Sequence, residues 1–197
     1  MPVICHSQKR LNEICILEER NSKMRLFIAI NFNPKTRSRL VSLRDELRNN
    51  STRGRFSAPD NLHLTLVFLG ECDKKQTADA KSAMNAVKFK PFKINIGCID
   101  RFKRRGGDIW WAGVSNSKQL TKLYDDLTNK LAEFGFQIEN RKFCPHITLG
   151  REIITKESSR SFEEFGQTID KIELMKSERI NGKLKYTAIH NINADDR

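Results

Sequence analysis

Two short segments of this 197-residue chain, His63-Leu64-Thr65-Leu66 and His146-Ile147-Thr148-Leu149, carry residues that could perform acid–base chemistry together. An imidazole titrates near pH ~6.5, so at neutral pH one ring can take a proton while a second, held protonated by an anionic substrate, gives one. Threonine hydroxyls two residues away can hydrogen-bond the non-bridging oxygens of a phosphate. Such a set suits the cleavage of a phosphodiester. Arg151, three residues past Thr148, would add charge to stabilise pentacoordinate phosphorus if the end of its strand turns it inward.

A single His-x-Thr triplet carries little information; the repetition gives it weight. A shift of 83 places superimposes Leu26-Phe27-Ile28-Ala29-Ile30 on Ile109-Trp110-Trp111-Ala112-Gly113 and the first His-x-Thr on the second, without a gap. A helical pattern fills the interval both times, which implies an internal duplication about a pseudo-twofold axis. In an extended strand, residues i and i+2 share a face. His63 and Thr65 therefore face one way and Leu62, Leu64, Leu66 and Phe68 the other, toward the core; His146 and Thr148 oppose Ile147 and Leu149 in the same manner. Packed about the axis, both pairs would face a common groove. Neither strand places a carboxylate or a second histidine at metal-ligand spacing, so no metal site is read. Cys144 shares the groove-side parity but has no activating neighbour in sequence, and a packed thiol is the plainer reading. His6 and His190 lack a matching context.

The elements that must position these residues can be read from periodicity. Arg25–Ile30 reads as a strand. Leu40, Leu43 and Leu47 mark a helix opened by Pro34, and Asn49 to Gly54 breaks it. After the strand Leu62–Phe68, Ala80, Ala83, Met84 and Val87 mark a second helix with Asp73 or Thr77 as its cap. Phe92 to Cys98 and Ile109 to Val114 read as strands. Leu120, Leu123, Leu127, Leu131 and Phe134 mark a third helix that Gly135 can end. Phe136–Ile138, Phe143–Leu149, Ile169–Met175 and Leu184–Ile189 complete the strands, the last two joined through Asn181-Gly182 in a connection longer than two residues. This mixed order predicts an α+β fold. Residues 1–23 show no clear periodicity and are expected to be an N-terminal extension, a candidate disordered arm, ahead of a single bilobal domain over 24–197.

Composition narrows the classes. With 38% hydrophobic and 30% charged residues the chain is globular rather than disordered or membrane-embedded. No apolar run approaches the ~18–20 residues that cross a bilayer, and no export signal is read in the first residues. Five widely spaced cysteines without a CxxC pair point to reduced thiols and a cytoplasmic protein. A net charge of +12 favours a polyanionic partner. Seven basic residues against two acidic ones lie between Lys35 and Arg55, and Arg101, Lys103, Arg104 and Arg105 flank Phe102. Solvated surface is an equal reading of both clusters until they are seen to flank one site.

Arg25 to Ile30, Asn61 to Glu71 and Pro145 to Arg151 closely resemble the 2H phosphoesterase superfamily, in particular the RNA 2′,3′-cyclic phosphodiesterases long called 2′-5′ RNA ligases. The likeness spans residues 24 to about 190. It implies two pseudo-twofold-related lobes, each with an antiparallel sheet flanked by helices, and an active groove between them. Carried over residue by residue, it implies that His63 is the proton donor to the departing 3′ oxygen and His146 the acceptor that activates water. Thr65 and Thr148 become the phosphate-binding threonines, and the product a 2′-phosphomonoester. No metal or cofactor is implied. The partner implied is RNA or an oligonucleotide with a cyclic phosphate end; no membrane and no obligate protein partner are expected, and a monomer is. For base contacts Phe56, Phe102 and Trp110 are candidates, Phe102 foremost for its basic neighbours and Trp110 least, as a core residue. Reversible 2′-5′ ligation or cleavage by the same site, and an RNA-end binding module in which catalysis is incidental, are the alternatives.

Overall fold

A computed structural model of the chain describes residues 23–115, 117–138 and 142–195. Strands and helices follow one another as β1 (Met24–Asn31), α1 (Pro34–Asn49), β2 (Ser51–Phe56), β3 (His63–Cys72), α2 (Lys74–Asn85), β4 (Phe92–Phe102) and β5 (Asp108–Val114). The second half continues with α3 (Lys118–Glu133), β6 (His146–Thr155), β7 (Arg160–Ile169), β8 (Lys171–Ile180) and β9 (Lys183–Asn193). The extension read at residues 1–23 lies outside the described residues apart from Lys23, as does His6.

Two antiparallel sheets result, one ordered β3-β1-β8-β9 and the other β2-β6-β5-β4-β7, so the α+β, two-lobed expectation holds. The lobes are not consecutive halves of the chain. β2, from the first half, edges the second sheet beside β6, while the C-terminal hairpin β8–β9 returns to complete the first sheet beside β1. Each sheet thus contains the two paired strands of one β–helix–β unit of the duplication, at the edge of the first sheet and in the interior of the second.

The helices form where apolar spacing and caps coincide. Leu120, Leu123, Leu127 and Leu131 of α3 are all buried, each contributing ~1.5–3 kcal/mol by leaving water. The Ser117 hydroxyl accepts from Leu120 N. Gly135, at φ +83°, ends the helix through bonds from its own N–H to Ala132 O and from Phe136 N–H to Leu131 O. Asn33 caps α1 by accepting from Thr36 N. Asp73 rather than Thr77 caps α2, in a capping box with Gln76. One hydrophobic cluster runs through both sheets, joining Leu26, Ile28, Ile30 and Leu64 to Ile94, Trp110, Ile147 and Leu149. Trp110 is fully buried, as its core reading required.

Several strands differ from expectation. Phe136–Ile138 forms no strand, because the backbone of Phe136 is used by the helix cap. The strand expected from Phe143 begins only at His146. Pro145 has no N–H to offer a ladder, and Phe143 instead stacks on Tyr124 of α3 at 4.2 Å. β2 falls where the sequence predicts a break, and β7 where it predicts no element. Both are edge strands with mostly polar sequences, Ser-Thr-Arg-Gly-Arg-Phe and Arg-Ser-Phe-Glu-Glu-Phe-Gly-Gln-Thr-Ile, so no clean period-two alternation marks them. The β8–β9 connection is two residues, not more: Ile180 pairs with Lys183, and Asn181 and Gly182 both have positive φ, the geometry of a type I′ turn.

Candidate active site

Both histidine strands carry the same irregularity. Along β1–β3, Ala29 faces Thr65 and Ile28 faces Val67, leaving Leu66 as an extra residue. Along β5–β6, Trp111 faces Thr148 and Trp110 faces Gly150, leaving Leu149 as the extra residue. An added residue of this kind reverses which face the following side chains occupy. Val67 therefore points into the core and Phe68, expected there, is turned out onto the face of His63 and Thr65. The second bulge does the same for Arg151, which a regular strand would have sent inward beneath Thr148. Sequence reasoning thus misplaced Phe68, while the turn it required of Arg151 is supplied by the bulge. The ungapped duplication also slips by one: a shift of 83 would set Val114 opposite His146, whereas the residue there is Gly113, the partner in position to Asn31 opposite His63.

The two rings are held alike at one nitrogen. His63 Nδ1–H donates to Asn61 O and His146 Nδ1–H to Cys144 O, each at 2.8 Å and each to the carbonyl two residues back. A carbonyl can only accept, which fixes the proton of the neutral ring on Nδ1 and leaves Nε2 as the basic atom. At Nε2 the rings differ. His63 Nε2 lies 2.9 Å from Thr65 Oγ1 and accepts its hydroxyl proton, whereas His146 Nε2 has no such partner among the described residues. Burial pushes the His63 pKa below its ordinary value; the Asn61 carbonyl opposes this, and the charges of His146 and Arg151 push the same way as burial. His146 and Arg151 are therefore close enough to His63 to act on it.

Aromatic side chains line each histidine. The Phe27 ring lies 4.8 Å from His63, and Tyr186 of β9 meets both rings edge-on at 5.2 Å from His63 and 4.9 Å from Phe27. Across the groove, Phe102 stands edge-on to His146 at 5.2 Å, and Trp111 packs against both, 5.2 Å from Phe102 and 6.0 Å from His146. Burial raises the Tyr186 pKa while the charges of Arg151 and Arg25 pull it down. Gly113 keeps the floor beneath His146 flat: a Cβ there would sit 2.4 Å from Cys98 Sγ.

The basic clusters divide. In the first, Arg44 is buried between Asp45 and Ser57 O, Arg37 and Arg48 pair with Asp60 and Asp45, Arg39 and Arg48 cover Phe165 and Phe56, and Arg55 pairs with Glu152. Most of that cluster is spent on holding the fold. In the second, Arg101 pairs with Asp108, while Lys103, Arg104 and Arg105 are exposed on the β4–β5 turn next to Phe102. Among the described residues no group of three or more His, Cys, Asp or Glu side chains could hold a metal ion, and no helix is long and apolar enough to cross a membrane.

The family model described as the 2′-5′ RNA ligase superfamily matches residues 32–181. The chain belongs to that superfamily. An RNA 2′,3′-cyclic phosphodiesterase of Thermotoga maritima is 36% identical over 131 residues, 65% of this chain and 70% of that protein. One from Archaeoglobus fulgidus is 33% identical over 151 residues, covering 72% and 85%. Among solved structures, Escherichia coli LigT in complex with 3′-AMP superimposes with a TM-score of 0.75 at 25% identity, over 87% of this chain and 98% of LigT.

Of the residues singled out from the superfamily's motifs and beside them, His63, Thr65, His146, Thr148, Arg151 and Phe102 all reach one region of the structure. Phe56 does not: it is half-buried under Arg48, against the core. His190 bonds Asn85 Oδ1 elsewhere, and Cys144 contributes its carbonyl rather than its thiol. Phe27, Trp111 and Tyr186 were missed. Tyr186 arrives from the far end of the chain, and no local pattern marks it; Trp111, facing Thr148 across the ladder, could have been found by pairing the two duplicated strands.

Proposed function

We propose that this protein hydrolyses the 2′,3′-cyclic phosphate at an RNA end to a 2′-phosphomonoester, using His63 as general acid and His146 as general base and no metal. The observation that carries the reading is the matched anchoring of the two rings, which holds the Nδ1 proton of each on a backbone carbonyl and leaves Nε2 as the basic nitrogen on equivalent strands. The relatives named RNA 2′,3′-cyclic phosphodiesterase support the reaction.

Burial and neighbouring positive charge disfavour the protonated form of His63. An incoming phosphodiester anion offsets both, and the ring takes up a proton at Nε2. That proton changes the role of Thr65. Its hydroxyl, which donates to Nε2 in the free protein, can no longer do so and becomes available to a non-bridging phosphate oxygen. His146 Nε2 removes a proton from water as the water oxygen bonds to phosphorus; the P–O3′ bond breaks and the His63 proton passes to O3′. Thr148 and Arg151 hold the developing negative charge on the equatorial oxygens. His146 ends protonated and His63 neutral, and exchange with solvent resets both.

The test is to incubate the protein with an oligoribonucleotide ending in a 2′,3′-cyclic phosphate, in EDTA, and to identify the product by mass and phosphatase sensitivity. Ring opening to a 2′-phosphate that is lost in His63→Ala and in His146→Ala is the expected result. A 3′-phosphate product would reverse the polarity, loss of activity in EDTA restored by zinc would overturn the metal-free mechanism, and a tightly bound but intact end would favour a binding module.

A further inference from the structure

Asn31 ends β1 directly opposite His63. Residues paired in this way share a face, with Cβ atoms ~4.5–5.5 Å apart, so the Asn31 amide stands beside the imidazole in the groove. It is held from two sides. Asn31 Nδ2–H donates to Glu173 Oε2 at 2.5 Å and lies 3.4 Å from Met175 Sδ, both on β8, while Glu173 keeps its other oxygen 2.9 Å from Lys171 Nζ. From the second sheet, Gln167 of β7 accepts from Asn33 N–H at 2.8 Å and donates to Asn31 O at 3.2 Å, which pins the backbone on either side of Phe32. A carboxylate only accepts, so the amide nitrogen has to face Glu173 and Oδ1 the other way. Oδ1 has no partner among the described residues and is not sealed from solvent. The duplicated position, opposite His146, is Gly113 and has no side chain. At this position, then, the His63 half carries an oriented, unused acceptor and the His146 half carries nothing.

We infer that Asn31 Oδ1 accepts the hydrogen bond of the ribose 3′-hydroxyl that ring opening releases, an assignment that rests on the reaction proposed above. The cyclic substrate has no hydrogen on O3′. Once the P–O3′ bond has broken and the His63 proton has passed to O3′, the ring is neutral and its Nε2 again takes the Thr65 hydroxyl, its partner in the free protein. The new hydroxyl then needs another acceptor, and the unused one beside His63 is Asn31 Oδ1. Phosphate oxygens, themselves acceptors, gain nothing from it. The contact therefore acts on the protonated leaving oxygen and not on the cyclic ester, so it favours the late transition state and the product over the bound substrate.

Calorimetric binding of adenosine 2′-phosphate and of 3′-deoxyadenosine 2′-phosphate, which differ only in that hydroxyl, tests the contact without turnover. Wild-type protein should bind the first about fivefold more tightly, the worth of one neutral hydrogen bond. Asn31→Ala and the apolar near-isostere Asn31→Leu should bind both alike, with thermal unfolding showing that each is folded. Glu173→Gln, whose amide no longer dictates which way Asn31 points, should reduce the preference. In turnover of adenosine 2′,3′-cyclic phosphate, Asn31→Ala should lower kcat by a similar factor and leave KM near wild type, the mark of an interaction made after the ground state. Equal wild-type affinity for the two nucleotides, or a preference that survives in both Asn31 variants, would overturn the assignment even with hydrolysis intact. A preference that Asn31 controls in a protein that does not open cyclic ends would instead sink the reaction and leave the hydroxyl contact standing.

Discussion

His63 and His146 occupy equivalent strands and make the same bond from Nδ1–H to the carbonyl two residues back, yet their surroundings differ. His63 is desolvated between Phe27 and Tyr186, with Thr65 on its second nitrogen. His146 stands beside Phe102 and Trp111, with Nε2 unengaged by any described residue. Opposite His63 on β1 is Asn31, bonded to Glu173, whereas opposite His146 on β5 is Gly113. The duplicated part is the backbone: strand, bulge and ring anchor. What breaks the symmetry is the set of side chains around it. A phosphodiester is itself asymmetric at the reacting atom, with an attacking oxygen on one side and a leaving oxygen on the other, so a site with one acid and one base has to be unlike in its two halves.

The largest effects should come from the histidines. His63→Ala and His146→Ala should each lower kcat on an RNA cyclic phosphate by about 10²–10⁴-fold. A substrate whose leaving group is a nitrophenolate needs no proton from an acid, so His63→Ala should recover most of the loss on it while His146→Ala should not. Steady-state rates on the two substrates decide the matter. Equal recovery in both variants would break the acid–base division, and recovery in His146→Ala alone would invert it.

Next in size is Arg151. Arg151→Met should cost about 10²–10³-fold in kcat, the range seen when one donor to a developing oxyanion is removed. The bulge that presents Arg151 can be tested apart from its charge. A Cβ on Gly150 would lie 2.8 Å from Ile153 Cδ1 and 3.0 Å from the Arg55 carbonyl oxygen, so Gly150→Ala must shift β2 or the bulge. A displacement of the order of 1 Å costs about 10²-fold, and kcat should fall by roughly that factor while thermal unfolding shows a folded protein. If Gly150→Ala keeps full activity, the bulge does not position Arg151.

How much of this was visible in the sequence follows from the range of the interactions that set each part. The helices were legible because their signals are local: the leucines of α3 repeat at helical spacing and Gly135 marks the end. His63, Thr65, His146 and Thr148 were legible because a period-two strand puts them on one face whatever surrounds it. Bulges are decided by register between strands far apart in sequence, so the outward turn of Phe68 and Arg151 was hidden. A trace of it was present: Leu66-Val67 breaks the alternation that Leu64-Thr65-Leu66 sets up. β2 and β7 left no hydrophobic alternation because they edge the sheet. Tyr186 reaches His63 only because β8–β9 crosses back to the first sheet, a topological fact with no sequence mark.

The smallest effect, and the one that sharpens the comparison most directly, is on the titration of His63. In the free protein its NMR titration midpoint should lie below ~6.5, because burial disfavours the imidazolium and the charges of His146 and Arg151 add to that, against the opposing pull of the Asn61 carbonyl. Adenosine 2′-phosphate should raise the midpoint, and so should Arg151→Met. The same shift links folding to pH. An unfolded His63 takes its proton near ~6.5 while the folded one resists it, so the contribution of neutral His63 to stability is full above that pH and is lost as pH falls toward the lower folded value. Melting curves between pH 8 and pH 5 should therefore fall off less steeply in His63→Gln than in wild type. A midpoint well above neutral pH in the free protein would mean that most His63 is charged before substrate arrives, and the proton uptake that frees the Thr65 hydroxyl would then have no place in the mechanism.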